Sequence, residues 1–120
     1  MVTGALTLVR AGYGVGLVCV PSALLRMAGD VEPSARACGV ARVLGVRHLV
    51  QAAITVAAER ADPDSPAVLG GGAAVDLLHA TSMLALGALG SQVRRTVLTD
   101  AAVETALAAA SAWALATPGD

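Results

Sequence analysis

The sequence predicts an all-α protein, a four-helix transmembrane bundle with up-down topology and short connectors. Hydrophobic residues make up 56% of the 120 residues, and charged residues make up only 14%. Soluble domains carry about 25% charged residues, so this chain lacks the polar surface that a water-soluble body of its size needs. The mean hydropathy of +0.71 indicates the same class. The apolar residues also fall into four blocks separated by short polar segments.

Each apolar block is close to the length of a membrane span. A helix needs about 20 residues to cross a hydrocarbon core of about 30 Å, because it rises about 1.5 Å per residue. The sequence therefore predicts one helical membrane domain over residues 1–120. Its spans are expected at about 6–27, 37–58, 66–89 and 98–117.

The first block is expected to be a retained helix. No positively charged segment precedes its apolar stretch, as it would in a cleaved signal peptide. Pro21 lies inside this block and should kink it, because proline removes a backbone donor and clashes with the preceding turn.

The other three blocks begin with residues that are typical of helix starts. Ser34 precedes the second block as a candidate N-cap. Ser65 and Pro66 open the third block in N-cap and N1 order. Thr99 or Asp100 is placed to cap the fourth block.

Charged residues interrupt every block, so none offers an uncharged run long enough to span a membrane. They are Arg10, Arg42, Arg47, Asp76 and Glu104. A central Arg or Asp costs about 2.5 to 3.5 kcal/mol on insertion, whereas each Leu, Ile or Val returns about 0.3 to 0.6 kcal/mol. The second block is unfavourable alone, so we expect its charges to face neighbouring helices and insertion to be cooperative.

A soluble alanine-rich helical bundle is the alternative fold, in which these charges would mark wet faces. Alanine supplies 27 residues, which suits either environment. The polar positions of the second block do not gather into one stripe, and this favours the membrane.

The distribution of arginine predicts a multi-pass protein of the cell membrane with both termini outside the cytoplasm. The connectors after the first and third blocks carry Arg26, Arg36, Arg94 and Arg95, whereas the opposite side carries only Arg60 among acidic residues. Cytoplasmic loops are enriched in arginine and lysine, which gives the orientation.

The polar residues inside the spans are predicted to form an intramembrane cluster. Its members are Arg42, Arg47, His48, Asp76, His79 and Glu104. The rise per residue places Arg47 and Asp76 near the midplane, and it places Arg42 and Glu104 in a second layer nearer the cytoplasm. We therefore predict two ion pairs, Arg47 with Asp76 and Arg42 with Glu104.

Two roles are open for this cluster. The first is structural, in which each ion pair fixes the register of two helices. The second is transport, since ionisable groups inside a membrane often line a path for protons or a small solute. Asp76 and His79 are the central candidates for such a path, and His48 and Glu104 extend it.

Small residues at four-residue spacing predict close helix packing. They are Gly12 with Gly16, Ala41 with Gly45, and Gly72 and Gly87 on one face of the third block. Such spacing lets helices approach closely in lipid. Packing within the chain is the first interpretation, and a seam between copies is the second.

No catalytic residue, metal site or cofactor is predicted. His48, His79 and Asp76 have the right chemistry for a metal, but no His-x-x-His, Cys-x-x-Cys or Glu-x-x-His pair is present. The glycines at 70–72 lack the lysine of a phosphate-binding loop. The scattered arginines do not form the basic patch that nucleic-acid binding needs.

The stretch ARVLGVRHLVQ at 41–51, followed by AVDLLHA at 74–80, resembles small four-helix membrane proteins of actinobacteria that have no assigned activity. The resemblance implies a membrane location and the pairing of an arginine-histidine helix with an aspartate-histidine helix. The expected role is structural or partner-binding. The expected partners are the lipid bilayer and either a second copy or another membrane protein.

Overall fold

The computed structural model describes residues 2–62, 66–88 and 93–117, which form five α-helices and, within those ranges, no β-strand. The helices are α1 (Val2–Cys19), α2 (Pro21–Met27), α3 (Ala35–Ala61), α4 (Pro66–Ala88) and α5 (Arg94–Ala116). The predicted all-α class is confirmed. The described helices number five instead of four because the first apolar block is divided in two.

Pro21 causes this division, as predicted. The axes of α1 and α2 meet at 110°, and Val20 between them has left the helical conformation. The amide of Val20 still donates to the carbonyl of Gly16 at 2.9 Å, but Pro21 has no amide with which to continue the ladder. The predicted kink is therefore a complete break, after which α2 turns across the end of α1.

Gly29 ends α2 with a left-handed residue. Its φ is 92°, a conformation that glycine adopts without a steric penalty. The amide of Gly29 donates to Arg26, and the amide of Asp30 donates to Leu25, both at 2.9 Å. These two bonds form a Schellman motif, which satisfies the last carbonyls of the short helix.

The helix starts agree with the sequence in two cases and differ in one. Ser34 caps α3 by accepting a hydrogen bond from the amide of Ala37 at 3.1 Å, and α4 begins at Pro66, as predicted. Ser65 lies outside the described residues. The prediction that Thr99 or Asp100 caps the last helix is wrong, because α5 begins at Arg94. The stretch from Arg94 to Asp100 contains no glycine or proline to delay the helix start.

The helices pack mainly as two pairs, α1 with α3 and α4 with α5. Glycine allows the first pair to approach closely, since a Cβ atom on Gly45 would lie 2.7 Å from the carbonyl oxygen of Gly14. In the second pair, a Cβ atom on Gly87 would lie 2.7 Å from Cδ2 of Leu98. The two pairs then meet along a seam between α1 and α3 on one side and α4 and α5 on the other.

The predicted packing residues are divided by the structure. Gly45 and Gly87 lie at the contacts just described, and Ala41 is fully buried on α3. Gly16 faces Leu24 of α2 instead of another long helix. Gly12 and Gly72 do not take part in the predicted packing within the chain, because a Cβ atom on either would meet nothing within 4 Å. On α1 the contact runs through Gly14, which is about 200° around the helix from Gly12.

The helices differ in their fitness to cross a membrane. Among the described residues, α3 alone is long and apolar enough by length and composition, with a mean hydropathy of 1.3 over its best stretch. Together α1 and α2 meet the same criterion as one bent span. Core helices of soluble proteins also meet it, so this finding supports the helical class and no particular number of spans.

Candidate functional site

Ionisable groups occupy the centre of the molecule. Among the described residues, the largest fully buried side chains are His48, Asp76, Asp100 and Glu104, each with at most 1% of its surface exposed. Their bonding partners are Arg10, Arg47, Gln51 and His79. We refer to these eight residues as the polar network. They lie near the middle of α1, α3, α4 and α5, so the network connects all four long helices.

Asp76 joins three helices at one end of the network. Its Oδ2 accepts a hydrogen bond from the guanidinium of Arg10 on α1. Its Oδ1 accepts from the side-chain amide of Gln51 on α3 at 2.6 Å. Both oxygens of this fully buried carboxylate are therefore bonded, and one of them faces a positive charge.

Glu104 of α5 forms a second junction, with α3. Its Oε1 accepts from the guanidinium of Arg47. The Nδ1 atom of His48 lies 3.3 Å from the same oxygen, but no well-directed hydrogen bond joins them. Arg47 is the most exposed member of the ion pairs, with 24% of its side chain accessible.

Asp100 lies between the two histidines. Its Oδ1 is 3.0 Å from Nε2 of His48 on α3, and its Oδ2 is 2.9 Å from Nε2 of His79 on α4. The ring of Tyr13 meets the His48 ring edge-on, with 5.0 Å between the ring centroids. The tyrosine and the carboxylate together hold the imidazole of His48 in one orientation.

Helical spacing brings these side chains to common faces. Residues three or four apart lie on the same side of a helix. Asp100 and Glu104 therefore project together from α5, as Asp76 and His79 do from α4. Gln51 follows Arg47 by four positions on α3 and takes the same face.

The two predicted ion pairs are wrong, although three of their four members lie in the network. Arg47 pairs with Glu104, and Asp76 pairs with Arg10. Arg42 lies outside the network, where it is exposed and donates to the carbonyl of Val18 at 3.4 Å. The reason is rotational, because Arg42 lies about 140° around α3 from Arg47 and cannot share its face.

Sequence reasoning missed three members of the network, Arg10, Gln51 and Asp100. The sequence identifies Arg10 only as a charge that interrupts the first block, and Asp100 only as a candidate helix cap. The signal that could have found Asp100 is its spacing, since it precedes Glu104 by four residues on the same apolar helix. Gln51 stands in the same relation to Arg47.

Some buried polar atoms in the network and beside it have no hydrogen-bond partner. Within the described residues these include Nδ1 of His48, Oε2 of Glu104 and Oγ1 of Thr96. A cavity of about 60 Å³ adjoins Asp100 and Thr96. Buried polar atoms in proteins are nearly always satisfied by protein, water or an ion, so this corner of the network is suited to hold one.

The charges of the network do not balance. Two guanidinium groups, on Arg10 and Arg47, face three carboxylates, on Asp76, Asp100 and Glu104. With both histidines neutral, the ionised network carries one uncompensated negative charge. Such a charge is costly away from water, so this arrangement favours the uptake of a proton or of another cation.

The outer surface has the opposite character. Large apolar side chains are exposed on every long helix, including Leu8 at 74%, Ile54 at 62%, Leu78 at 71% and Trp113 at 72%. By contrast, the charged side chains near the helix centres are at least three quarters buried.

Comparison with protein-family models, with curated proteins and with solved structures gives no match. The interpretation therefore rests on the chemistry of the described residues.

Proposed function

We propose that this protein is a multi-span membrane protein in which the polar network joins two helix pairs, and that it has a structural or partner-binding role. The observation that carries the proposal is the reversed polarity of the fold. His48, Asp76, Asp100 and Glu104 are the largest fully buried side chains among the described residues, while many large leucine, valine and isoleucine side chains are exposed.

Reversed polarity is unfavourable in water and favourable in lipid. A soluble protein rarely exposes large continuous apolar surfaces, because each Å² of apolar area withdrawn from water contributes about 25 cal/mol. In a bilayer the apolar side chains contact acyl chains at no such cost. Ionisable residues inside the bilayer face the bundle interior and pair with one another, as Arg10 does with Asp76.

An open groove between α3 and α4 supports the same environment. It has a volume of about 390 Å³ and is lined by the apolar side chains of Val50, Ile54 and Val75, by two glycines, and by the polar residues Arg47, Gln51 and Thr55. Val50, Val75 and Ile54 are each at least half exposed. Acyl chains would fill such a groove without the free-energy cost of exposing its apolar walls to water.

Hydroxyl groups on the helix surfaces need no water. Thr81 and Ser82 are exposed on α4, and each donates to the carbonyl four residues earlier, at 2.8 and 2.9 Å. Thr105 on α5 and Thr117, the residue after α5, also donate to the carbonyl four residues earlier, both at 2.8 Å. These bonds satisfy the hydroxyl donors within their own helix, as a lipid-facing surface requires.

Exposed charges lie near the helix ends and suggest an orientation. Arg95 donates to the carbonyl of Gly29, so the connector after α2 and the start of α5 lie at the same end of the molecule. Arg26, Arg36 and Arg94 are exposed in these same segments. The positive-inside rule then places this end in the cytoplasm and both termini outside it.

Binding within the membrane is the role that best fits this surface. The polar network is enclosed by the helices, and its guanidinium groups are occupied by carboxylates. The exposed apolar faces, including Trp113 on α5, are available to lipid, to a second copy or to another membrane protein.

Membrane integration is tested by fractionating cells that produce the full-length chain. The protein should remain in membranes washed with alkaline carbonate and should require detergent for extraction. A lipid-anchored or peripheral protein would be released by the wash. Recovery of a stable, monodisperse species in buffer without any amphiphile would overturn the proposal.

A further inference from the structure

One corner of the polar network has the composition of a metal site. The ligand atoms of His48, Asp100 and Glu104 all lie within 4.8 Å of one another, and all three side chains are buried. His79 adds a second imidazole, 2.9 Å from Asp100. We propose that His48, His79, Asp100 and Glu104 bind one divalent transition-metal ion such as Zn²⁺.

The distances between these atoms are close to those within a coordination sphere. A tetrahedral zinc ion bound at about 2.0 to 2.2 Å holds its ligand atoms about 3.3 to 3.6 Å apart. The Nε2 atoms of His48 and His79 lie 3.0 and 2.9 Å from the two oxygens of Asp100. Because the two imidazoles bond to different oxygens of Asp100, side-chain rotation is needed to bring both nitrogens to one ion.

A second, independent observation points to a ligand at this position. Oε2 of Glu104 is buried and has no hydrogen-bond partner within the described residues. The other oxygen of Glu104 is occupied by Arg47. Such an arrangement leaves one carboxylate oxygen available for an ion while the arginine holds the side chain in place.

The donor set selects the kind of ion. Two imidazoles with two carboxylates suit zinc, iron or nickel, whereas magnesium and calcium prefer oxygen ligands alone. The network has three carboxylates facing two guanidinium groups, and this excess of one negative charge also favours a positively charged ligand. The choice of a transition metal rests on the imidazole ligands.

The cavity beside the site has room for an additional ligand. It measures about 60 Å³ and is lined by Asp100, Thr96, Thr99 and Tyr13, together with apolar side chains. This volume exceeds the roughly 10 to 15 Å³ that a buried water molecule needs by the same kind of measure. A water bound to the ion there could also bond to the hydroxyl of Thr96.

The proposed ligands come from three helices, which explains why no short motif announces them. His48 is on α3, His79 is on α4, and the two carboxylates are on α5. Metal sites inside helix bundles are commonly built from facing helices in this way. The proposed site requires only the packing of these three helices, and it does not depend on whether they cross a membrane.

Metal titration of the full-length chain tests this proposal. The purified protein is stripped with a chelator and titrated with Zn²⁺, and separately with Co²⁺, whose visible absorption reports its coordination. We expect one ion per chain and a tetrahedral Co²⁺ spectrum. Asp100→Asn should weaken Zn²⁺ binding at least about 10- to 100-fold, the loss seen even for outer-shell changes.

Two further variants keep the outcome decisive. The double variant Arg10→Ala with Asp76→Asn removes a buried ion pair that supplies no proposed ligand, so it should retain the one-to-one stoichiometry. His79→Gln changes the most accessible ligand, at 15% exposure, and decides the matter if Asp100→Asn does not fold. Failure of the parent chain to bind Zn²⁺, or unchanged binding and Co²⁺ spectrum in the folded Asp100 or His79 variants, would overturn the proposal.

Discussion

The Nε2 atom of His48 lies 3.0 Å from Oδ1 of Asp100, although 52 positions separate these residues in the chain. The contact joins α3 to α5 at the centre of the molecule. In the proposed membrane environment, helices would gain no hydrophobic stabilisation from one another, so polar contacts of this kind would define which helices are neighbours. The predictions below concern the contacts on either side of this one.

Loss of Arg10 should strongly destabilise the protein. In Arg10→Ala, the fully buried Asp76 loses its only guanidinium partner, and an uncompensated buried charge costs about 3 to 5 kcal/mol. The free energy of unfolding in mixed micelles measures this loss. The double variant Arg10→Ala with Asp76→Asn should regain part of it, whereas the exposed Arg42→Ala should change stability by less than about 0.5 kcal/mol.

Exchange of Arg47 and Glu104 distinguishes the observed pair from the pair expected from sequence. Arg47→Glu or Glu104→Arg alone places two like charges together and should lower the yield of folded protein in the membrane. The double exchange restores opposite charges and should recover much of that yield. Exchange of Arg47 with Asp76 should give no recovery, and equal recovery in the two double variants would contradict the pairing.

A methyl group at Gly45 should disturb the contact between α1 and α3. The Cβ atom of Gly45→Ala would lie 2.7 Å from the carbonyl oxygen of Gly14, and overpacking of this kind costs about 1 to 3 kcal/mol. Thermal unfolding in detergent measures the effect. Gly12→Ala is the matched control on α1, because its Cβ would meet nothing within 4 Å, and it should be neutral or stabilising by up to about 1 kcal/mol.

Cysteine labelling tests the proposed orientation. Cys19 is exposed at the end of α1, on the side that carries the arginines, and should lie on the cytoplasmic side. In Cys38→Ser, a membrane-impermeant maleimide should label Cys19 only after the cells are permeabilised. In a chain without native cysteines, Asp62→Cys at the opposite end of α3 should be labelled in intact cells. The reverse pattern would invert the topology.

The sequence predicts the local features of this fold well, but it predicts poorly which helices and side chains are neighbours. The break at Pro21, the Ser34 cap and the start of α4 at Pro66 follow from residue chemistry within a few positions. The start of α5 was placed too late because the connector has no strong end signal after residue 90. Local rules are reliable where proline or a capping hydroxyl is present.

The site divides in the same way. Depth along a helix follows from the rise per residue, and this places His48 and His79 at similar levels. Which side chains meet also depends on helix rotation and helix order, which the sequence alone does not contain. Glu104 was therefore assigned to Arg42 instead of Arg47, and the role of Asp100 between two histidines became evident only from the assembled helices.

The break at Pro21 leaves α1 with 18 residues, whereas α3 has 27. At about 1.5 Å per residue these helices measure about 27 and 40 Å, against a hydrocarbon thickness of about 30 Å. As spans of the proposed membrane protein, two adjacent helices of such unequal length would create a hydrophobic mismatch, which is relieved when the long helix tilts and the bilayer thins around the short one. The long helix should accordingly tilt further from the bilayer normal than the short one.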